Sequence, residues 1–279
     1  MKLNLIPRLL ILSIIVFLVS CSSDDDNGSE SNQDSSTSSS REACNVFNFA
    51  RQKIANGQVC TQSGQNSPLV RLGIDSLQGS GVCTGAIIDN DKVVTAAHCL
   101  EGTILGVTIE TTAGNKSGSR YIIPRTYRDE NTSQGPVSFD DIAIVISSEP
   151  FGISPMPFLI TQNPQIGETS FVGGYGENAP GVLDRLPRAG NAIIIDVNPN
   201  HVTIDFESDQ AHPCRGDSGG PLVVKRGDVG AIVGVVSQSA PTVPFDLICR
   251  PGDRTLYTHV RGESVLRFLS DHAPDSGAL

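Results

Sequence analysis

The stretch Cys214-Arg215-Gly216-Asp217-Ser218-Gly219-Gly220-Pro221 decides how this chain is read. Its small residues permit a sharp turn that exposes a Ser hydroxyl and leaves the Gly216 and Ser218 amides free to face a developing oxyanion. Taken alone, Gly-Asp-Ser-Gly is also an ordinary turn. The partners that a nucleophile needs must therefore be sought elsewhere in the chain.

A Ser hydroxyl is a poor nucleophile until an imidazole accepts its proton. Upstream, Val93-Val94-Thr95-Ala96-Ala97-His98-Cys99 reads as a β-branched strand running into small residues and a His. Before it, Cys83-Thr84-Gly85-Ala86-Ile87-Ile88 reads as a turn. Between the His and the Ser lies Asp140-Asp141-Ile142-Ala143-Ile144-Val145-Ile146, where an acid opens an apolar strand and is available to orient the imidazole.

These three motifs resemble the trypsin-like serine proteases of the chymotrypsin fold, over a span from about Ile54 to a helix near Leu269. Their order, His then Asp then Ser, separates them from subtilisins and α/β-hydrolases. The resemblance implies His98 as general base, Asp141 as the acid that fixes its tautomer and Ser218 as nucleophile. Asp140 is set aside because the family's acid directly precedes the apolar strand. The amides of Gly216 and Ser218 are the implied oxyanion hole, each donor contributing about 3 to 4 kcal/mol to the lowering of the barrier. His201, His259 and His272 are read as packing or surface residues.

The same resemblance extends to Arg51-Gln52-Lys53-Ile54-Ala55-Asn56-Gly57, which is similar to the family's activation site. Cleavage after Lys53 would free the α-amino group of Ile54 to pair with Asp217 and draw Gly216 into place. Ala55 and Asn56 depart from the commonest residues there. An activating protease is thereby implied, as are protein or peptide substrates.

Seven Cys occur. Six remain if Cys21 carries lipid, and six Cys allow 15 pairings on sequence alone. The family pattern implies Cys83 with Cys99 and Cys214 with Cys249, which leaves Cys44 and Cys60 on opposite sides of the cut. If those two pair, the cleaved enzyme stays tied to whatever precedes it.

The residue six before the nucleophile lies, by resemblance, at the base of the primary pocket. Here it is His212, where trypsins carry Asp, so preference for Lys or Arg is not expected. A charged His212 would suit an acidic side chain and a neutral one small polar or apolar side chains. Ser237-Gln238-Ser239 matches the pocket wall, with Ser237 expected to bond the Asp141 carboxylate, Gln238 removing the aromatic wall and Ser239 narrowing the entrance. Thr255 is expected on the opposite wall.

Composition agrees with an all-β reading. The 279 residues are 38% apolar and only 18% charged, with 28 Gly and 17 Pro, which excludes a helical bundle or coiled coil. A net charge of -10 excludes nucleic-acid binding, which needs a basic face. Short runs at Val93 to Ala96, Ile142 to Ile146, Ala192 to Asp196, Leu222 to Lys225 and Ala231 to Ser237 are separated by turn residues. The expected fold is two six-stranded antiparallel β-barrels with the site in the cleft between them, closed by a helix from Glu263 to Asp271. Residues Glu101 to Lys116 make no convincing calcium loop, so neither a metal nor another cofactor is expected.

Residues 1–20 read as a signal peptide, with Lys2 and Arg8 before an apolar run from Leu9 to Val19 that is short for a bilayer span. Leu18-Val19-Ser20-Cys21 is similar to a bacterial lipoprotein box, with lipid on Cys21. Residues 22–40 hold nine Ser, four Asp and one Glu with no apolar or basic residue, so they read as a solvated spacer. The expected organisation is a tether and propeptide over 21–53, a protease domain over 54–271 and a polar tail over 272–279. The expected location is exported, anchored by lipid at a bacterial outer membrane or cell surface, or secreted. Two other classes stay open: a catalytically silent binding protein on the same fold, and an esterase using the same acyl chemistry.

Overall fold

Strands at the seam, such as Lys92–Thr95 and Ala143–Ser147, run apolar on both faces because they have two apolar neighbours, their own barrel's interior and the other barrel. Successive residues of a strand point to opposite faces. Val70, Val93 and Val145 thus fill the first barrel, while their neighbours Leu69, Val94 and Ile144 pack outward with Phe171, Val223 and Val235 of the second. That double burial is why Ile142 to Ile146 reads as an unbroken apolar run.

The computed structural model describes residues 42–47, 50–51, 58–61, 66–133, 135–177, 182–205, 211–239 and 253–279. A short hairpin comes first, β1 (Ala50–Arg51) against β2 (Gln58–Thr61), in register Arg51 to Cys60. The first barrel follows with β3 (Leu69–Ser76), β4 (Gly79–Ile87), β5 (Lys92–Thr95), β6 (Ile104–Thr111) and β7 (Gly114–Ile122). A separate hairpin, β8 (Arg128–Thr132) and β9 (Gly135–Phe139), precedes β10 (Ala143–Ser147), which closes this barrel by pairing with both β5 and β7.

The second barrel comprises β11 (Thr169–Gly174), β12 (Arg188–Val197), β13 (His201–Asp205), β14 (Pro221–Arg226), β15 (Val229–Ser239) and β16 (Arg254–His259). It closes because β12 pairs with β13 as well as β11, and the β1–β2 hairpin extends its sheet by pairing with β12. The two six-stranded antiparallel barrels are those the sequence led us to expect. The closing helix α1 (Glu263–His272) runs one residue past its expected end and buries Val265, Phe268 and Leu269.

One expectation needs correction. Cys83 to Ile87 is not a turn but the end of β4. Gly85 breaks the sequence pattern because a β-carbon there would come within 2.5 Å of a Val93 methyl. In the final residues the Phe158 amide donates to Gly277 O and the Leu279 amide to Phe158 O, at 2.9 Å each. Ordered structure is also described ahead of residue 54. Residues 42–46 form a helical turn whose Cys44 is disulfide-bonded to Cys60, and Phe47, fully buried, lies against Gly173.

Candidate active site

β5 and β10 are antiparallel neighbours in register Thr95 to Ala143. His98 lies three residues beyond Thr95 and Asp141 two before Ala143, so strand pairing alone brings them to the same end of the barrel. The His98 ring lies with Nδ1 2.7 Å from Asp141 Oδ2, and the His98 amide donates to Oδ1 at 2.9 Å. Asp141 is wholly buried. Its Oδ2 also accepts from Ser237 Oγ at 2.6 Å, as expected, and its carbonyl accepts from Thr258 Oγ1 at 2.9 Å. Asp140 faces away: with φ of 52°, it takes the Ser264 hydroxyl at 2.5 Å.

The electrostatics follow from this wiring. Burial drives the His98 pKa down, but the Asp141 hydrogen bond and charge, with Glu101 and Asp129 beyond, outweigh it and hold the ring above its ordinary value. Burial likewise pushes Asp141 up, and the bonds from His98 and Ser237 more than reverse it, keeping the carboxylate ionised.

Ser218 sits in a turn ahead of β14. Gly216 and Gly219 carry φ of +94° and +82°, a region that favours glycine. At Gly219 a β-carbon would also meet Thr84 O at 2.5 Å and Ala96 N at 2.8 Å, so the turn is pressed against the first barrel. The Asp217 carboxylate accepts from the Gly176 and Cys214 amides at 2.7 and 2.8 Å. Burial pushes its pKa up to about 6 despite those bonds and the Arg188 charge. Among the described residues no cation lies within ion-pair distance of it.

The Trypsin family model matches residues 62–244. Trypsin epsilon of Drosophila erecta is 33% identical over 180 residues, 57% of this chain and 68% of its own. Trypsin theta of Drosophila melanogaster is 25% identical over 187 residues, 60% of this chain and 70% of its own. The chain belongs to the trypsin family. Human heparin binding protein matches with a TM-score of 0.57 at 22% identity, over 80% of this chain and 97% of its own, a likeness of fold. Trypsin-like proteases are serine hydrolases that act on proteins or peptides.

Within this trypsin-family chain the other predicted residues divide. His212 Nε2 lies 2.8 Å from Thr255 Oγ1, so the expected pocket base and wall meet. Burial lowers the His212 pKa, although Asp253 opposes it, which favours the uncharged ring. Ser239 pairs across the sheet with Thr255. Gln238 turns to the β8–β9 hairpin, where its Oε1 accepts from the Ser138 amide and hydroxyl at 2.8 and 2.7 Å and its Nε2 donates to Pro136 O at 2.8 Å. His201 and His259 are buried and hydrogen-bonded to the carbonyls of Ser138 and Asn198, which fits packing roles. His272 ends α1 beside Phe268.

Cys83 pairs with Cys99. Both sulfurs lie near His98, but a disulfide cannot ligate a metal as thiolates do, so this cluster is no metal site. Cys214 is disulfide-bonded, while Cys249 lies outside the described residues, as do Cys21, Lys53 and Ile54. Sequence reasoning missed Thr84, Ser138 and Thr258. Each acts through a bond from a residue distant in the chain, and no local pattern announces it.

Proposed function

We propose that the chain is a serine endopeptidase in which Ser218 attacks the scissile carbonyl, His98 takes its proton and Asp141 holds the imidazole. The observation that carries this reading is the buried Asp141 carboxylate, gripped by both nitrogen donors of His98 and by Ser237. With Nδ1–H committed to Asp141, the neutral ring has its lone pair on Nε2, the tautomer a general base needs. The proton accepted there passes to the leaving amine, and water then cleaves the acyl-enzyme by the same route. The Gly216 and Ser218 amides supply the oxyanion hole. A silent binding protein would have no need of a carboxylate held in this state, and an esterase is disfavoured by family.

Activation by cleavage between Lys53 and Ile54 belongs to the same proposal. In sequence both residues fall between β1 and β2. Val59, on β2, pairs with Arg188, whose charge is felt by Asp217. Four residues, Ile54 to Gly57, precede β2, and an extended stretch of four spans up to about 14 Å. A buried carboxyl whose pKa is pushed up to about 6, with no cation in ion-pair distance among the described residues, is chemically suited to an arriving ammonium. His212, bonded to Thr255 and with burial favouring its uncharged form, supports small polar or apolar side chains in the primary pocket rather than Lys or Arg. Export and a lipid anchor on Cys21 complete the proposal, resting on the sequence alone.

The test is intact mass after a phosphonylating serine reagent, before and after cleavage at Lys53. Labelling of Ser218 only after the cut is expected, and its absence in Ser218→Ala assigns the site. Labelling without the cut would remove the Ile54 mechanism, and no labelling in either state would favour the binding protein.

A further inference from the structure

We propose that the hydroxyl of Thr84, in the first barrel, positions the oxyanion turn of the second. This rests on the protease reading above. Thr84 is fully buried at the point where β4 meets the Ser218 turn. Its Oγ1 donates to Gly216 O at 2.9 Å and accepts from the Tyr175 amide at 3.1 Å. Its own amide donates to Ser218 O at 2.9 Å, and its carbonyl accepts from Thr95 Oγ1 at 2.8 Å. One residue thus ties the strand that leads to His98 to both residues whose amides face the oxyanion.

The geometry makes the hydroxyl, rather than the bulk, the working part. A hydroxyl has one proton and can satisfy one acceptor while receiving a donor. Here the acceptor is the carbonyl of Gly216, whose φ of +94° leaves the turn few intrinsic restraints. The donor is the amide of Tyr175, next to Gly176, which binds the Asp217 carboxylate. Thr84 therefore holds the turn from two sides: directly at Gly216, and through the 175–176 backbone that cradles Asp217. Backbone bonds from Thr84 survive any substitution, so a side-chain change isolates the hydroxyl.

The experiment compares Thr84→Val, which keeps the shape and removes the hydroxyl, with Thr84→Ser, which keeps the hydroxyl and removes the methyl. Both are made in the full chain and cleaved at Lys53. For Thr84→Val we expect kcat per phosphonate-titrated site to fall about 10- to 100-fold with KM within twofold, since misplaced transition-state donors cost rate and not ground-state binding. For Thr84→Ser we expect kcat within threefold of the parent. Amide hydrogen exchange at Tyr175, read independently of activity, is expected to quicken in Thr84→Val and not in Thr84→Ser. Equal losses in both variants, or unchanged exchange at Tyr175 in Thr84→Val, would overturn the proposal. An inert parent would overturn the protease reading instead, with the exchange result still deciding whether the hydroxyl holds the turn.

Discussion

Ser237→Ala removes one hydrogen bond from a carboxylate that has no access to water. Asp141 is wholly buried and would keep only the two bonds from His98, because the Ser237 hydroxyl at 2.6 Å is its remaining side-chain donor. A hydrogen bond to a charged group is worth about 1.5 to 3 kcal/mol. For a domain of this size that lowers Tm by about 3 to 12 °C near neutral pH. The sign with pH is fixed. Asp141 has a folded pKa below its ordinary value, so its stabilisation is present above about pH 4 and is lost as pH falls through the folded pKa. The deficit of Ser237→Ala is therefore expected in full at pH 7 and should shrink only as pH falls below about 4 and through the folded pKa. The less satisfied carboxylate also attracts the His98 proton more strongly, so the acid limb of the kcat/KM profile should move to higher pH. Thermal melts at pH 7 and pH 3 with a pH–rate profile test both parts. A deficit that grows between pH 7 and pH 3, or an acid limb that does not move, would refute the reasoning.

Three further outcomes are expected. In the unmodified protein, kcat/KM falls with acid through a midpoint above 6.5, because the Asp141 carboxylate raises His98 despite its burial and the protonated ring is no base; a midpoint below 6.5 would contradict this wiring. Gly219→Ala is expected to cost more than about 2 kcal/mol in denaturant unfolding, since a methyl at φ of +82° would strike Thr84 O and Ala96 N. After cleavage at Lys53, the segment ahead of the cut stays with the protease on a non-reducing gel and separates on reduction, through Cys44–Cys60; in Cys44→Ser it separates without reductant under denaturing conditions.

The family, the two barrels and the three catalytic candidates were legible in the sequence because each depends on a short local pattern. Thr95-Ala96-Ala97-His98 needs a strand that ends in small residues, and Asp141 needs an apolar strand behind it. Both patterns are contiguous. Cys83 to Ile88 was misread for the opposite reason: Gly85 looks like a turn residue until its contact with Val93, from the next strand, explains it. Gln238 was recognised as a missing aromatic, but its bonds to Ser138 and Pro136 lie about 100 residues away in sequence and leave no local trace.

What the sequence carried by itself is the local motifs: the candidate His98, Asp141 and Ser218 and their order along the chain. What only the tertiary structure decided is the protonation state and the support. His98 sits above its ordinary pKa and His212 below it, though both are histidines beside polar residues, because one faces a buried ionised carboxylate and the other mainly loses water. In the same way Phe47, upstream of the expected domain, is buried against Gly173, and Thr84 reaches Gly216 across the seam between the barrels. Such effects depend on distance and dielectric between residues far apart in the chain, and these exist only once both barrels have closed.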